Sequence, residues 1–330
     1  MHRHGMDCMK PFLVEMLVCP SCLPEEVGLC LTTVEADDEE VIRGSLACPS
    51  CREIFPIAEG TAVILPTGEP DDPSRTGYES SRALSAYLWS HYADLFGDAE
   101  ACTAYREWAS LIPPTEGVFL DAGCAVGRFS FEMSQKSHFV IGIDNSKSFI
   151  HTARKLLKNR SIDFGLVLEG ELRENRRFEL PGAWNTDRVE FLVADAQALP
   201  FRSETFSCLS SLNLVDKVPR PLVHLLELGR VARSSGSRLL FTDPFSWSTE
   251  AAAREHWLGG LPGGVFSGRG IDNVTSILKG ERGGLRPPWT IEGQGSVWWK
   301  IRNHCNHFEL IRSRYVTAVR PPIPLAPATG

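Results

Sequence analysis

Five short apolar runs, spread along the middle of the chain, constrain its fold more than any other feature. They lie at 117–121, 139–143, 189–194, 206–212 and 238–242. The segments between them are long enough for helices, and nearly continuous apolar strands are typical of parallel sheets covered on both faces. We therefore predict an α/β fold with an open, doubly wound and mostly parallel sheet. Two later apolar runs, at 296–301 and 314–319, are expected to complete the sheet as an antiparallel pair.

Two CxxC pairs near the N-terminus indicate a second, smaller domain. Cys19-Pro-Ser-Cys22 and Cys48-Pro-Ser-Cys51 each place two thiols in one tight turn. Four thiolates at about 2.3 Å from one ion form a closed tetrahedral site, which suits structural zinc because no position is left for water. Disulfides or free thiols are the alternative, but two CxxC pairs in a chain of this size favour a metal.

Composition indicates a boundary between two domains and disfavours some classes of binding partner. Residues 67–77 are rich in Pro, Gly and acid, which is typical of a linker, so we expect a zinc ribbon at 1–66 and a larger domain at 78–330. The net charge of -7 offers no positive field to a phosphate backbone, which disfavours nucleic acid. No signal peptide and no long apolar run occur, so we predict a cytoplasmic protein without a membrane span.

A strand, a glycine turn and the start of a helix follow one another at the first apolar run. Gly123 and Gly127 allow the backbone to approach a ligand closely, and a helix N-terminus stabilises a carboxylate. Asp144 ends the next predicted strand, where an acid can accept hydrogen bonds from two ribose hydroxyls. Ala125 and Arg128 occupy the second and third glycine positions of a GxGxxG fingerprint, so a dinucleotide site is disfavoured.

A third acid, Asp195, follows the third apolar run and precedes Ala196. Together the three motifs resemble those of the class I methyltransferases that use S-adenosylmethionine (SAM), over about 78–245. The resemblance implies cofactor contacts from Asp121 and Gly123 beside the methionine part, Cys124 and Gly127 in the same turn, Asp144 at the ribose with its neighbour Asn145, Asp195 and Ala196 at the adenine, and Asn213 facing the methyl group.

The N-terminal block has a resemblance of its own. Both CxxC pairs and the turn Pro56-Ile57-x-x-Gly60 are similar to those of the small zinc-ribbon activator subunit that partners several tRNA, ribosome and release-factor methyltransferases. This resemblance implies that the ribbon stabilises the catalytic domain and performs no chemistry. Here the two would be tethered, which raises the effective concentration of one for the other.

A narrower resemblance, over about 78–320, is to the mercaptohistidine N-methyltransferases that make ovothiol. It is carried by the segments 78–79, 87–92, 121–132, 169–172, 244–247, 257–260 and 300–304. The chain departs from that family because it has a ribbon in place of a sulfoxide-synthase half and Asn303 where an acid is expected. The resemblance implies a small heterocyclic acceptor, imidazole- or thiohistidine-like, that is methylated on nitrogen.

Four side chains are candidates for accepting a proton or orienting the acceptor at neutral pH: Tyr87, His91, Tyr92 and His304. The first three lie on an amphipathic helix predicted at 78–96, which would form a lid over the open edge of the sheet. For each of them, a role in packing is the competing hypothesis.

Three functions remain open at this point. An N-methyltransferase of a small molecule would need an enclosed pocket under the lid helix. A methyltransferase of RNA or protein, served by the ribbon, would need an open groove beside Asn213. A non-catalytic module would bind SAM without transferring its methyl group.

Overall fold

The computed structural model describes residues 9–37, 40–66, 78–282 and 284–321, so the predicted linker at 67–77 lies outside the described residues. The strands are β1 (Cys30–Asp37), β2 (Glu40–Ala47), β3 (Ile54–Ala58), β4 (Thr61–Ile64), β5 (Val118–Ala122), β6 (Phe139–Asp144), β7 (Ser161–Glu169), β8 (Leu172–Glu179), β9 (Val189–Ala194), β10 (Cys208–Leu212), β11 (Arg238–Asp243), β12 (Thr290–His304) and β13 (His307–Val319). The α-helices are α1 (Ser81–Tyr92), α2 (Ala104–Ser110), α3 (Arg128–Met133), α4 (Lys147–Asn159), α5 (Pro221–Val231) and α6 (Gly270–Leu278).

The large sheet has the predicted doubly wound form. Its strand order is β9-β6-β5-β10-β11-β13-β12, and the first five strands are parallel. β13 lies antiparallel to both of its neighbours, β11 and β12. The parallel strands are buried almost throughout because helices cover both faces, which explains why they appear in the sequence as continuous apolar runs. The α/β prediction is confirmed.

The N-terminal ribbon is an antiparallel sheet, β1-β2-β3-β4, that continues directly into the large sheet. Its last strand, β4, runs parallel to β9 and pairs Val63 with Val193 and Ile64 with Ala194. A second contact lies close by, where Val18 N–H donates to the carbonyl of Pro200 at 3.0 Å. The ribbon therefore lies against the strand and loop that carry Asp195.

Helix α1 is held in place by its N-cap and by hydrogen bonds to two strands. The side chain of Ser80 caps its N-terminus by accepting a hydrogen bond from Ala83 N–H at 3.1 Å. Ser90 Oγ donates to the carbonyl of Lys300 on β12 at 2.8 Å, and Ser85 Oγ accepts from Val167 N–H on β7 at 3.1 Å. The helix is shorter than the predicted 78–96, because a 3₁₀ turn at Ala93–Leu95 replaces its last turn.

The hairpin β7–β8 was not expected from the sequence. Most of the side chains of β8 are polar and exposed, so its sequence shows neither an apolar run nor a regular alternation. Strand β7 of the hairpin packs against α1 and helps to hold this helix in place. Among the described residues, no helix combines the length and the apolar character that crossing a membrane requires.

Candidate active site

The four predicted metal ligands come together in the ribbon. All four sulfur atoms of Cys19, Cys22, Cys48 and Cys51 lie within 4.8 Å of one another. The Cys19–Cys51 distance is 3.6 Å and the Cys22–Cys48 distance is 3.7 Å. A tetrahedral ion with bonds of about 2.3 Å needs sulfur–sulfur edges of about 3.8 Å. The arrangement of the four thiols therefore fits a zinc ion.

A cavity that is partly open to solvent lies at the carboxyl ends of the parallel strands. This edge is where ligands bind in open α/β sheets. The predicted cofactor residues that line it are Asp121, Gly123, Cys124, Asp144, Asn145, Asp195, Ala196 and Asn213. Tyr87 and His91 line it as well, whereas Gly127, Tyr92 and His304 do not.

The turn after β5 depends on two glycines. Gly123 has φ +77°, and its N–H donates to the carbonyl of Ile143 at 2.9 Å. Gly127 has φ +84° and precedes α3, and a Cβ at this position would lie 2.6 Å from the ring of Phe191. A side chain at Gly127 would therefore strain the backbone and clash with the core beneath the turn. Gly127 shapes the turn without lining the cavity.

Three acids enter the cavity wall from three neighbouring strands. Asp121 accepts from the hydroxyls of Ser130 at 2.7 Å and Ser210 at 2.8 Å, and burial raises its pKa to about 6. Asp144 accepts from the backbone N–H groups of Ala125 at 3.0 Å and Ser146 at 2.9 Å. Desolvation also raises the pKa of Asp144 to about 6.

Asp195 is the third acid and follows β9. It accepts from the backbone N–H of Gln197 at 2.8 Å and is 3% exposed. On the next strand, Asn213 has φ +55° and its N–H donates to the carbonyl of Thr242 at 2.8 Å. Hydrogen bonds therefore hold both residues at the ends of their strands, and Thr242 Oγ1 donates to Asn213 Oδ1 at 3.1 Å.

Part of the cavity wall is aromatic. Tyr87 and His91 are four residues apart and face the cavity from the same side of α1, with their rings 5.6 Å apart. The ring of Tyr87 also lies 4.6 Å from Phe149 and 6.4 Å from Trp299. Tyr105 of α2 completes this wall.

Two predicted catalytic candidates lie elsewhere. Tyr92 follows His91 directly, so the helical twist turns its side chain away from the cavity. Its Oη donates to the carbonyl of Val126 at 2.8 Å instead. Its ring stacks on Phe178 at 4.5 Å. His304 lies at the turn between β12 and β13, against the ring of His307. Both side chains occupy positions that suit packing and turn formation.

Several residues that line the cavity were not identified from the sequence: Tyr105, Phe149, Gln197 and Lys217. A signal for Tyr105 was present, because Tyr105, Trp108, Ala109 and Ile112 recur at the spacing of an amphipathic helix and all are buried. Among the described residues, Lys217 is the one lysine or arginine that lines the cavity.

Comparison with known families finds a match for the large domain and another for the ribbon. Residues 120–240 match the family described as "Methyltransferase domain", and residues 10–60 match the one described as "Trm112p-like protein". The chain is a SAM-dependent methyltransferase. Its large domain has the class I methyltransferase fold, and a Trm112p-like domain precedes it. No curated protein matches the chain significantly.

Solved structures with a similar fold include three informative examples. A complex between the Haloferax volcanii Trm112 methyltransferase activator and a methyltransferase is 13% identical, with 77% of this chain and 100% of that chain covered and a TM-score of 0.44. A structure described under the conversion of a disulfide bond into a thioacetal group during echinomycin biosynthesis is 22% identical, with 66% of this chain and 81% of that chain covered and a TM-score of 0.42. Phosphoethanolamine N-methyltransferase 2 of Haemonchus contortus in complex with SAM is 17% identical, with 58% of this chain and 37% of that chain covered and a TM-score of 0.39.

Proposed function

We propose that the chain methylates a nitrogen of a small heterocyclic molecule, imidazole- or thiohistidine-like, in the cavity between the acids and the aromatic wall. The observation that supports this is the shape of the acceptor side. Helix α1 covers the edge of the sheet, and Tyr87, Phe149, Tyr105 and Trp299 surround the space beneath it. A planar ring fits between aromatic side chains, whereas a nucleic acid or a folded protein needs an open groove.

The charge of the lining supports the same acceptor. Three acids face the cavity, and Lys217 is the single lysine or arginine of its described wall. The amine of Lys217 lies 3.4 Å from Oδ1 of Asp216, which partly neutralises it. A phosphate backbone would meet no cluster of cations at this wall.

We assign the cofactor contacts by position in the cavity. Asp144 would accept hydrogen bonds from the ribose, Asp195 and Ala196 would lie at the adenine, and the turn at Gly123 would admit the methionine part. Bound SAM supplies an electrophilic methyl group. Tyr87 and His91 would orient the acceptor beneath helix α1.

We also propose that the four ribbon thiols hold zinc with a structural role. Four thiolates leave no open coordination position, so the ion would stabilise the ribbon and take no part in methyl transfer. The position of the ribbon against β9 suits this role, because it supports the strand that leads to Asp195.

A direct test follows methyl-labelled SAM. The purified protein is incubated in parallel with a metabolite extract, RNA and a protein fraction, and with imidazole, histidine and thiohistidine as defined probes. We expect label in a small heterocycle. Asp144→Asn should reduce labelling, and Asp163→Asn, which changes an exposed acid on β7, should not.

Other outcomes would contradict the proposal. Label in RNA alone or in protein alone would show that the methyl acceptor is a macromolecule. The Trm112p-like domain is the feature that favours this alternative. SAM binding by calorimetry without labelling of any fraction would indicate a module that binds the cofactor and transfers nothing.

A further inference from the structure

A fully buried histidine on helix α5 links the ends of two strands of the large sheet. Nε2 of His224 lies 2.8 Å from the hydroxyl of Ser211 on β10, and Nδ1 lies 3.0 Å from the carbonyl oxygen of Ala196, which follows β9. His224 and Ser211 are both 0% exposed, whereas Ala196 lines the cavity. Because it has no exposed surface, His224 can affect a bound ligand only through the residues that it holds.

The partners of His224 determine its tautomer. A carbonyl oxygen can only accept a hydrogen bond, so Nδ1 carries the proton and donates it to Ala196. Nε2 then has a lone pair, which accepts from the hydroxyl of Ser211. Burial lowers the pKa of His224 to about 4, so the ring is neutral at neutral pH. Both ring nitrogens therefore have a partner of the right kind.

A second side chain ties the same loop to the start of α5. Oε1 of Gln197 accepts from the backbone N–H of Arg220 at 2.8 Å, and Nε2 of Gln197 donates to Oδ1 of Asp195 at 3.3 Å. The backbone N–H of Gln197 donates to the same carboxylate oxygen at 2.8 Å. The loop 195–197 is thus held to α5 at two points, one of which is His224.

The peptide unit between Ala196 and Gln197 connects His224 to the acid. Its carbonyl accepts from Nδ1 of His224, and its N–H donates to Oδ1 of Asp195. A peptide unit is planar, so a rotation that moved the carbonyl away from His224 would also move the N–H away from the carboxylate. The hydrogen bond from the histidine therefore sets the orientation of the group that holds Asp195.

We propose that His224 is a positioning residue for the adenine of SAM, because it fixes the peptide unit that orients Asp195 towards the exocyclic amine. The inference rests on the proposed function, which places Asp195 and Ala196 at the adenine. An ionised carboxylate only accepts hydrogen bonds, and the exocyclic amine of adenine donates them. A carboxylate held in one orientation therefore favours adenine over a base that has an oxygen at this position.

Two substitutions separate the two hydrogen bonds of His224. Asparagine places an amide nitrogen close to the position of Nδ1, so His224→Asn keeps a donor for Ala196 and loses the acceptor for Ser211. Glutamine places its amide close to the position of Nε2, so His224→Gln keeps a partner for Ser211 and loses the donor for Ala196. Each variant leaves one buried polar group without its partner, so both should lower the midpoint of thermal unfolding.

Calorimetric titration should distinguish the two variants. We expect His224→Gln to raise Kd for SAM by about 10-fold and His224→Asn to raise it by less than about threefold. Ser134→Ala is the control for loss of a buried hydrogen bond outside the cavity, because Ser134 Oγ accepts from Asn185 N–H at 3.0 Å. It should lower thermal stability and leave Kd unchanged.

The base itself is tested with S-adenosylhomocysteine and S-inosylhomocysteine, which has an oxygen in place of the exocyclic amine. The wild-type protein should bind the adenine compound about 10-fold or more tightly than the inosine compound. His224→Gln should reduce this preference by about threefold or more, whereas His224→Asn should keep it. In protein labelled with ¹⁵N-histidine, the ring nitrogen shifts of His224, identified with the same variants, should show a neutral ring with its proton on Nδ1.

Several results would overturn the role of His224: a proton on Nε2, equal losses of SAM affinity in the two variants, or a preference for adenine that His224→Gln leaves unchanged. A wild-type protein that binds SAM and does not prefer the adenine compound would refute the position of Asp195, and the inference with it. None of these measurements uses a methyl acceptor. Label in RNA or protein alone would therefore refute the proposed acceptor, and the binding data would still decide the role of His224.

Discussion

The affinity for SAM is expected to fall as the pH drops through about 6. Asp144 would accept hydrogen bonds from the ribose hydroxyls, and a carboxylate accepts them more strongly than a protonated carboxyl group. Desolvation in the cavity wall raises the pKa of Asp144 to about 6, so the side chain changes charge within an accessible pH range. Binding favours the ionised form, and it is therefore strong above this pKa and weakens below it.

The size of the effect follows from the titration. At pH 5, about a tenth of a group with a pKa of about 6 is ionised. If the ionised form alone binds well, Kd at pH 5 should be about 10-fold higher than at pH 8. This change corresponds to about 1.4 kcal/mol, which is the size of one hydrogen bond to a charged group.

Calorimetric titration of SAM at pH 5, 6, 7 and 8 measures the effect. Asp144→Asn should bind about 10-fold more weakly at pH 8 and lose most of the pH dependence, while the exposed variant Asp163→Asn should behave as the wild type. Asp121 has a similar pKa, but both of its oxygens accept from serine hydroxyls, so Asp121→Asn should keep the slope. A wild-type affinity that does not vary with pH, or an Asp144→Asn profile parallel to it, would refute the reasoning.

Three further changes test the fold that carries the site. Cys48→Ser should lower the zinc content in metal analysis, and it should lower the free energy of unfolding in urea by about 3 kcal/mol or more. Cys30→Ser changes a cysteine outside the thiol cluster and should alter neither quantity. Gly127→Ala should destabilise by about 3 kcal/mol, because it combines a positive φ with a clash, whereas Gly97→Ala has a positive φ and open space and should cost about 1 kcal/mol. Glu190→Gln removes one partner of a fully buried ion pair and should lower the free energy of unfolding by about 3–5 kcal/mol, and a loss below 1 kcal/mol would contradict this account.

The parallel strands could be predicted from the sequence because burial on both faces leaves an unbroken apolar run in each. The glycine turn after β5 was recognisable for a related reason, since positive φ at Gly123 and Gly127 restricts the residue type. Local chemistry thus determined both features. The order of the acids along the chain then predicted that Asp121, Asp144 and Asp195 would meet at one edge, and all three line the cavity.

Features that depend on contacts between distant segments could not be predicted. The pairing of β4 with β9 joins residues far apart in the chain, and neither strand has a pattern that specifies its neighbour. The rotation of α1 about its axis decided that His91 faces the cavity and Tyr92 does not, although both lie in the same short aromatic segment. Tyr105 lies against His91 of another helix, a contact that a single helical pattern does not show.

The junction between the ribbon and the large sheet covers an edge that would otherwise be open to pairing with another strand. Without β4, and without Lys10, whose Nζ donates to the carbonyl of Val189 at 3.3 Å, strand β9 would be the open edge of a parallel sheet, with unpaired backbone groups available to any extended chain. The ribbon covers this edge with a partner built into the same polypeptide. Production of the catalytic half alone should therefore give self-association through β9, even where its own core is intact.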